Sequence, residues 1–275
     1  MDKCRWVVWR AVAGVVMLCA LGGSAIAGSV TEGGETLGLA LGAPLAPGFY
    51  FLDTSSYISR SNKPDISAIV NIPVIAWSTP WTLLNGRIEA YSGLAEDMLN
   101  VGGNHSAGLY NIPLLVGEAW NLGHGLNVSH FIGGYTPMNS GGLATNNWVF
   151  NDRVAVTYLV DGWSFTAHVI YGAVSRDLQG HGQDTPDYIN CDLTTVKTIG
   201  KWTLGPVAYG SRDLSSLGNG YTRQGQLAMG GFVGYDFGRV ALQFYATHDV
   251  VQTGYTGEDT RVFMRWIVPV QFSND

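Results

Sequence analysis

The chain has 275 residues, a formal net charge of −6, only 13% charged residues, 12% aromatics and 37 glycines. A soluble domain carries about 25% charged residues, and a nucleic-acid-binding protein needs a basic face. The composition argues against both and suits a glycine-rich, aromatic-rich β protein in lipid.

The N-terminus reads as a secretory signal over residues 1–27. Lys3, Arg5 and Arg10 are its basic region, residues 11–21 its apolar core, and Ala25-Ile26-Ala27 its cleavage site. The apolar core is shorter than the roughly 20 residues a spanning helix needs. Leu18 ahead of Cys19 speaks against lipoprotein processing. Cys191 is then the one cysteine left, which rules out an internal disulfide. Residues 28–47 hold much Gly, Ala and Leu without alternation. They read as a periplasmic leader, either a disordered tail or a segment that lines or plugs the pore mouth.

Residues 48–275 read as a transmembrane barrel. Alternation predicts about twelve strands, at 48–59, 65–78, 81–92, 108–120, 123–135, 147–160, 162–174, 187–199, 201–212, 223–235, 238–250 and 259–270. The clearest is 162–174. Trp163, Phe165, Ala167, Val169, Tyr171 and Ala173 share one face, while Ser164, Thr166, His168, Ile170 and Gly172 share the other. Connections at Thr79-Pro80, Asn121-Leu122, Asp161, Gly200 and Asp236-Phe237 are tight, and Asp161-Gly162 is a hairpin signal in itself. Links at 93–107, 136–146, 175–186, 213–222 and 251–258 are long. Tight turns at one end, long loops at the other and an even strand count predict an antiparallel up-and-down barrel with both termini in the periplasm. The long loops would form an acidic rim through Glu96, Asp97, Asp177, Asp184, Asp213 and Glu258. Pro73, Pro113 and Pro206 fall inside strands and call for bulges. The last residues, Phe272-Ser273-Asn274-Asp275, lack the terminal aromatic common in such barrels.

Charges beside apolar neighbours in a spanning strand should point away from lipid. This marks Arg87, Glu89, Arg153, Arg239, Arg261 and Arg265 as lumen residues, with Tyr209, Gln243 and Tyr245. Trp163, Phe165, Val169, Val262, Met264 and Val268 should meet lipid. A lumen of arginines and tyrosines would favour aromatic carboxylates or phenols. The alternatives are a closed structural or binding barrel zipped by Arg–carboxylate pairs, and a secreted soluble all-β binding protein.

The six histidines show no metal-ligand spacing and read as solvated or interfacial. His181 with Asp184 and Asp187 is the one cluster worth a cation test. His248-Asp249 near the outer rim could evoke a lipid-acting enzyme, but no G-x-S-x-G elbow supports it. No cofactor or nucleotide motif is present, so transport would be passive, and no enzyme activity is expected.

Thr31-Glu32-Gly33-Gly34, Ala46-Pro47-Gly48-Phe49-Tyr50, Trp77-Ser78-Thr79-Pro80-Trp81 and the closing Arg261-Val262-Phe263-Met264-Arg265-Trp266 resemble the outer-membrane family named for the meta-pathway of phenol degradation. The likeness covers essentially the whole mature chain. It implies a twelve-strand-like barrel, usually described as a transporter. The barrel reading itself carries outer-membrane lipid, the barrel-insertion machinery and small hydrophobic or aromatic solutes as the expected partners. It carries over no catalytic residues.

Overall fold

The computed structural model describes residues 29–61, 65–138, 143–176, 185–218, 220–254 and 257–270. The signal at 1–27, the last five residues and the cluster at His181 and Asp184 lie outside the described residues. Fourteen strands follow: β1 (Gly48–Arg60), β2 (Ile66–Leu83), β3 (Gly86–Gly93), β4 (Glu96–Val101), β5 (Asn104–Leu109), β6 (Pro113–Gly123), β7 (Leu126–Tyr135), β8 (Val149–Val160), β9 (Trp163–Val174), β10 (Tyr188–Ile199), β11 (Trp202–Asp213), β12 (Gly225–Asp236), β13 (Ala241–Thr253) and β14 (Asp259–Val270). All pairings are antiparallel, and β1 pairs with both β14 and β2, which closes the sheet into a barrel.

By wall position the barrel has twelve strands, because two of them are interrupted. The lower part of β2 pairs with β3 and its upper part with β4. β3 and β4 are thus halves of one wall strand, parted at Leu94-Ala95. β5 and β6 are likewise halves of the next, parted at residues 110–112. Pro73 lies where this break passes. It stays in register with Asp53 of β1, and on its other side it faces the gap between β3 and β4. A proline there costs the ladder no donor.

The expected bulges at Pro73, Pro113 and Pro206 are not where the ladder shifts. Pro113 begins β6, and Pro206 sits beside a short gap in the β10–β11 ladder. The shift in β2 absorbs Pro80 instead. Three residues, Thr79 to Trp81, oppose Ile88 between the pairs Ser78–Glu89 and Thr82–Arg87. The strand therefore runs through the expected Thr79-Pro80 turn and reverses at Leu84-Asn85, whose φ values of 48° and 64° fit a two-residue hairpin loop. Asp161-Gly162 turns as expected, at φ 49° and 76°. The expected long link at 93–107 is instead the β4–β5 hairpin, reversed at Gly102-Gly103. Two members of the expected acidic rim are inside: Asp97 lines an inner cavity, and buried Asp213 accepts from Tyr221 Oη (2.5 Å) and from Gln224 N (2.8 Å).

Alternation sets the two faces. Along β8, Val149, Asn151, Arg153, Ala155 and Thr157 are buried, whereas Phe150, Val154 and Val156 are exposed. Along β14, Asp259, Arg261, Phe263 and Arg265 are buried and Val262 and Trp266 exposed. Trp163 and Val262 are exposed, and Phe165, Val169, Met264 and Val268 occupy the same outward positions. Aromatic pairs gather at the tight-turn end, among them Trp202–Tyr235 (4.7 Å between centroids) and Trp163–Phe165 (5.7 Å). This is the girdle of an interfacial belt.

Candidate functional site: the occupied lumen

Of the two expected forms of the leader, a tail or a segment lining the pore, residues 29–47 take the second. The segment enters at the long-loop end and runs down inside the barrel to β1. Thr31 meets Tyr135 Oη (3.0 Å) and Tyr188 Oη (2.8 Å) near the outer end. Lower down, Gly38 N donates to Thr194 Oγ1 (2.9 Å), and Gly42 N donates to Thr157 Oγ1 (2.9 Å). Near the tight-turn end, Leu45 N donates to Glu89 Oε1 (2.8 Å). A segment without its own ladder must find partners for its buried N–H and C=O groups. Here inward wall side chains supply some and the segment's own turns the others, with Glu35, Leu37, Leu39 and Ala43 N donating to leader carbonyls.

Leu37 is fully buried among Tyr209, Phe232, Tyr245 and Phe263. Val30 packs in a second cluster with Tyr135, Ile170 and Tyr188. Two glycines allow the close approach. A Cβ on Gly38, whose φ is +85°, would overlap the Phe232 ring, and one on Gly42 would press on the β8 backbone at Thr157.

Most of the expected lumen residues turn out to hold this segment. Arg265 is fully buried. It donates to Leu37 O (2.7 Å), Gln243 Oε1 (3.0 Å), Tyr245 Oη (2.6 Å), Thr54 Oγ1 (2.9 Å) and Glu35 O. Arg153 donates to Glu35 Oε1 (3.0 Å), Asn151 Oδ1 (2.5 Å) and Tyr135 Oη (2.8 Å). Arg261 donates to Gly33 O (3.3 Å) and Asp259 Oδ2 (3.3 Å), with Glu32 at 3.9 Å and the Tyr209 ring 5.3 Å away. Tyr209 accepts from Gln226 Nε2 (2.9 Å). Glu89 faces the lumen, and Arg87 donates to Thr79 O (3.1 Å) on the same hairpin.

Arg239 is the exception. It is exposed, in the turn closed by Phe237 N donating to Val240 O (2.9 Å), and β13 starts only at Ala241. The apolar neighbours that suggested an inward arginine are turn and strand-end residues, where face alternation no longer applies.

Some residues escaped the sequence reading. Asp192 accepts from Gly34 N (3.3 Å), Thr36 N (3.1 Å) and Thr36 Oγ1 (2.6 Å). His168, expected to be solvated or interfacial, is buried with Nδ1 2.9 Å from Thr36 Oγ1. The one available signal was the alternation of β9, which already placed His168 inward.

The leader does not fill the barrel evenly. Its hydrogen bonds bind it chiefly to β8–β10 and β14. Beside it, mainly against β1, β2, β3, β6 and β7 and with Arg265, Ile267 and Pro269 of β14 also in its wall, a cavity of about 370 Å³ remains. Its wall is largely apolar, with Leu52, Ile72, Val74, Ala76, Tyr91 and Phe131 facing Leu39 and Leu41 of the leader. A smaller cavity of about 190 Å³ lies above it beside the break in the wall, lined by Ala95, Tyr110 and Asn111. The two share Glu35, Ile72, Pro113 and Tyr135 as walls. They follow one line from the interrupted wall toward the tight-turn end.

The closed, lipid-faced antiparallel barrel with an occupied lumen defines a transmembrane β-barrel of the outer-membrane type. The chain belongs to the family described as "Putative MetA-pathway of phenol degradation", which it matches over residues 31–266. Its fold is similar to that of the COG4313 outer membrane channel from Pseudomonas putida F1, with a TM-score of 0.70 at 11% identity, covering 87% of this chain and 100% of that one. The β domain of the Bordetella autotransporter BrkA follows at a TM-score of 0.49 and 16% identity, covering 82% of this chain and 100% of that one. No curated protein sequence matches the chain.

Proposed function

We propose that the protein is a passive outer-membrane channel for small, uncharged hydrophobic or aromatic molecules, inserted by the barrel-insertion machinery. The observation that carries this reading is the apolar 370 Å³ cavity between the leader and the β1–β2–β3–β6–β7 wall. Its size falls at the lower end of the range for small-molecule pockets, roughly 300–1,000 Å³. The charged groups beside it are already engaged. Arg265 and Arg153 donate to leader and wall oxygens, and Glu89 accepts from Leu45 N. An anion would have to displace these bonds, whereas a neutral ring needs only apolar contact. This moves the solute class from aromatic carboxylates toward neutral aromatics and hydrocarbons.

The test is uptake of a labelled neutral monoaromatic, with benzoate as comparison, by cells that produce the protein and cells that do not. Neutral uptake should rise several-fold and benzoate uptake little. Ala76→Trp, which fills the cavity from β2, should remove most of the gain. Equal uptake with and without the protein would favour a closed structural barrel.

A further inference from the structure

Two ionisable side chains stand at mid-height on the lipid-facing wall. Phe131 and Ala119 are buried inward, so Glu118 and His130 point outward from β6 and β7. His130 is the third of five outward positions on β7, and Glu118, level with it, the third of five on β6, the lower half of its wall strand. They are direct cross-strand neighbours. His130 Nε2 lies 2.8 Å from Asp152 Oδ1 on the next strand, which also points outward. The buried Glu118 Oε1 has no partner among the described residues, and His130, exposed, meets Asp152 through Nε2. Such groups facing acyl chains near the bilayer centre are costly, and in membrane proteins they face protein or water.

We propose that the β6–β8 face is a dimer interface for a second copy of this chain. The occupant follows from symmetry and charge. Two copies in one membrane are related by a two-fold axis along its normal, so residues at equal depth meet. An axis passing between β6 and β7 at the level of this pair sets Glu118 of each copy opposite His130 of the other. The contact is isologous and made twice. Each imidazole then bridges two carboxylates, Asp152 through Nε2 and the partner copy's Glu118 through Nδ1, and donates to both as imidazolium. The exposed Val116, Ile132 and Val154 surround the pair with apolar surface. The other mid-wall polar strip, Asp53, Ser55 and Asn71 on β1 and β2, contains no cation and cannot pair with itself in this way.

The experiment is cross-linking of the full-length protein in native outer membranes. Cys191→Ser removes the native thiol, and Ile132→Cys places one beside the axis. A short bismaleimide should give a dimer band, whereas Val262→Cys, on β14 well away from this face, should give none. Adding Glu118→Gln to the Ile132→Cys protein should cut the dimer at least several-fold, with the heat-dependent gel shift of the monomer showing that the barrel is still folded. Should Glu118→Gln fail the gel-shift check, His130→Gln serves as the second variant with the same expected loss. No dimer from Ile132→Cys, equal dimer from Val262→Cys, or a dimer unaffected by Glu118→Gln would each overturn the proposal.

Discussion

At the residue scale, the buried arginines work as clamps. Arg265 sits under the leader at the point where Glu35 and Leu37 turn their carbonyl oxygens toward β14. Its ring contacts extend the grip, with the Tyr245 ring 5.2 Å away and Tyr245 stacked on Phe263 at 4.4 Å. Removing one partner from a buried charged network costs about 3–5 kcal/mol. The leader is held on its other side by Asp192, so Arg265→Gln should loosen it without unfolding the wall. The expected outcome is a several-fold rise in single-channel conductance in planar bilayers, with an unchanged gel shift. Unchanged conductance would mean that Asp192, Arg153 and Arg261 suffice. Arg239→Gln is the control. It changes an exposed turn and should alter neither conductance nor ion preference.

At the scale of elements, the leader and the wall are separable. The wall closes through its own ladder from β1 to β14, and no strand pairing includes residues 29–47. Deleting residues 29–45 should therefore leave a heat-modifiable barrel while raising its conductance by roughly tenfold, since a barrel between eight and sixteen strands then has an open interior. A barrel that no longer assembles would show instead that the Leu37 cluster is needed for closure. Strand positions were legible from the sequence because period-two alternation is local, and β8, β9 and β14 needed nothing more. The β2–β3 turn was not. Thr79-Pro80 has the residue types of a turn, but Ser78–Glu89 pairing on one side of it and Thr82–Arg87 on the other turn it into a bulge. The β4–β5 hairpin carried a readable Gly102-Gly103 signal, obscured by the acidic residues of β4.

At the scale of the whole molecule, the outer surface and the filled interior make opposite demands on the same strands. Cysteines replacing Val262 and Met264 should react with lipid-soluble maleimide. Those replacing Arg261 and Phe263 should react with neither that reagent nor a water-soluble one until the leader is deleted, because the leader covers them. Lipid-side labelling at position 261 would show a one-residue slip of β14, which exchanges every face.

The sequence by itself determined the class, the approximate strand count, the two faces of most strands and the inward Arg153, Arg261 and Arg265, though not the exposed Arg239. These follow from short-range alternation and from the cost of charge in lipid. Only the tertiary structure decided where residues 29–47 go. Their Gly, Thr and Leu have no periodicity to read, and their partners Thr157, Asp192, Thr194 and Arg265 lie more than a hundred residues away. The same long-range placement decided that the lumen arginines hold the leader, leaving an apolar space beside it along β1, β2, β3, β6 and β7.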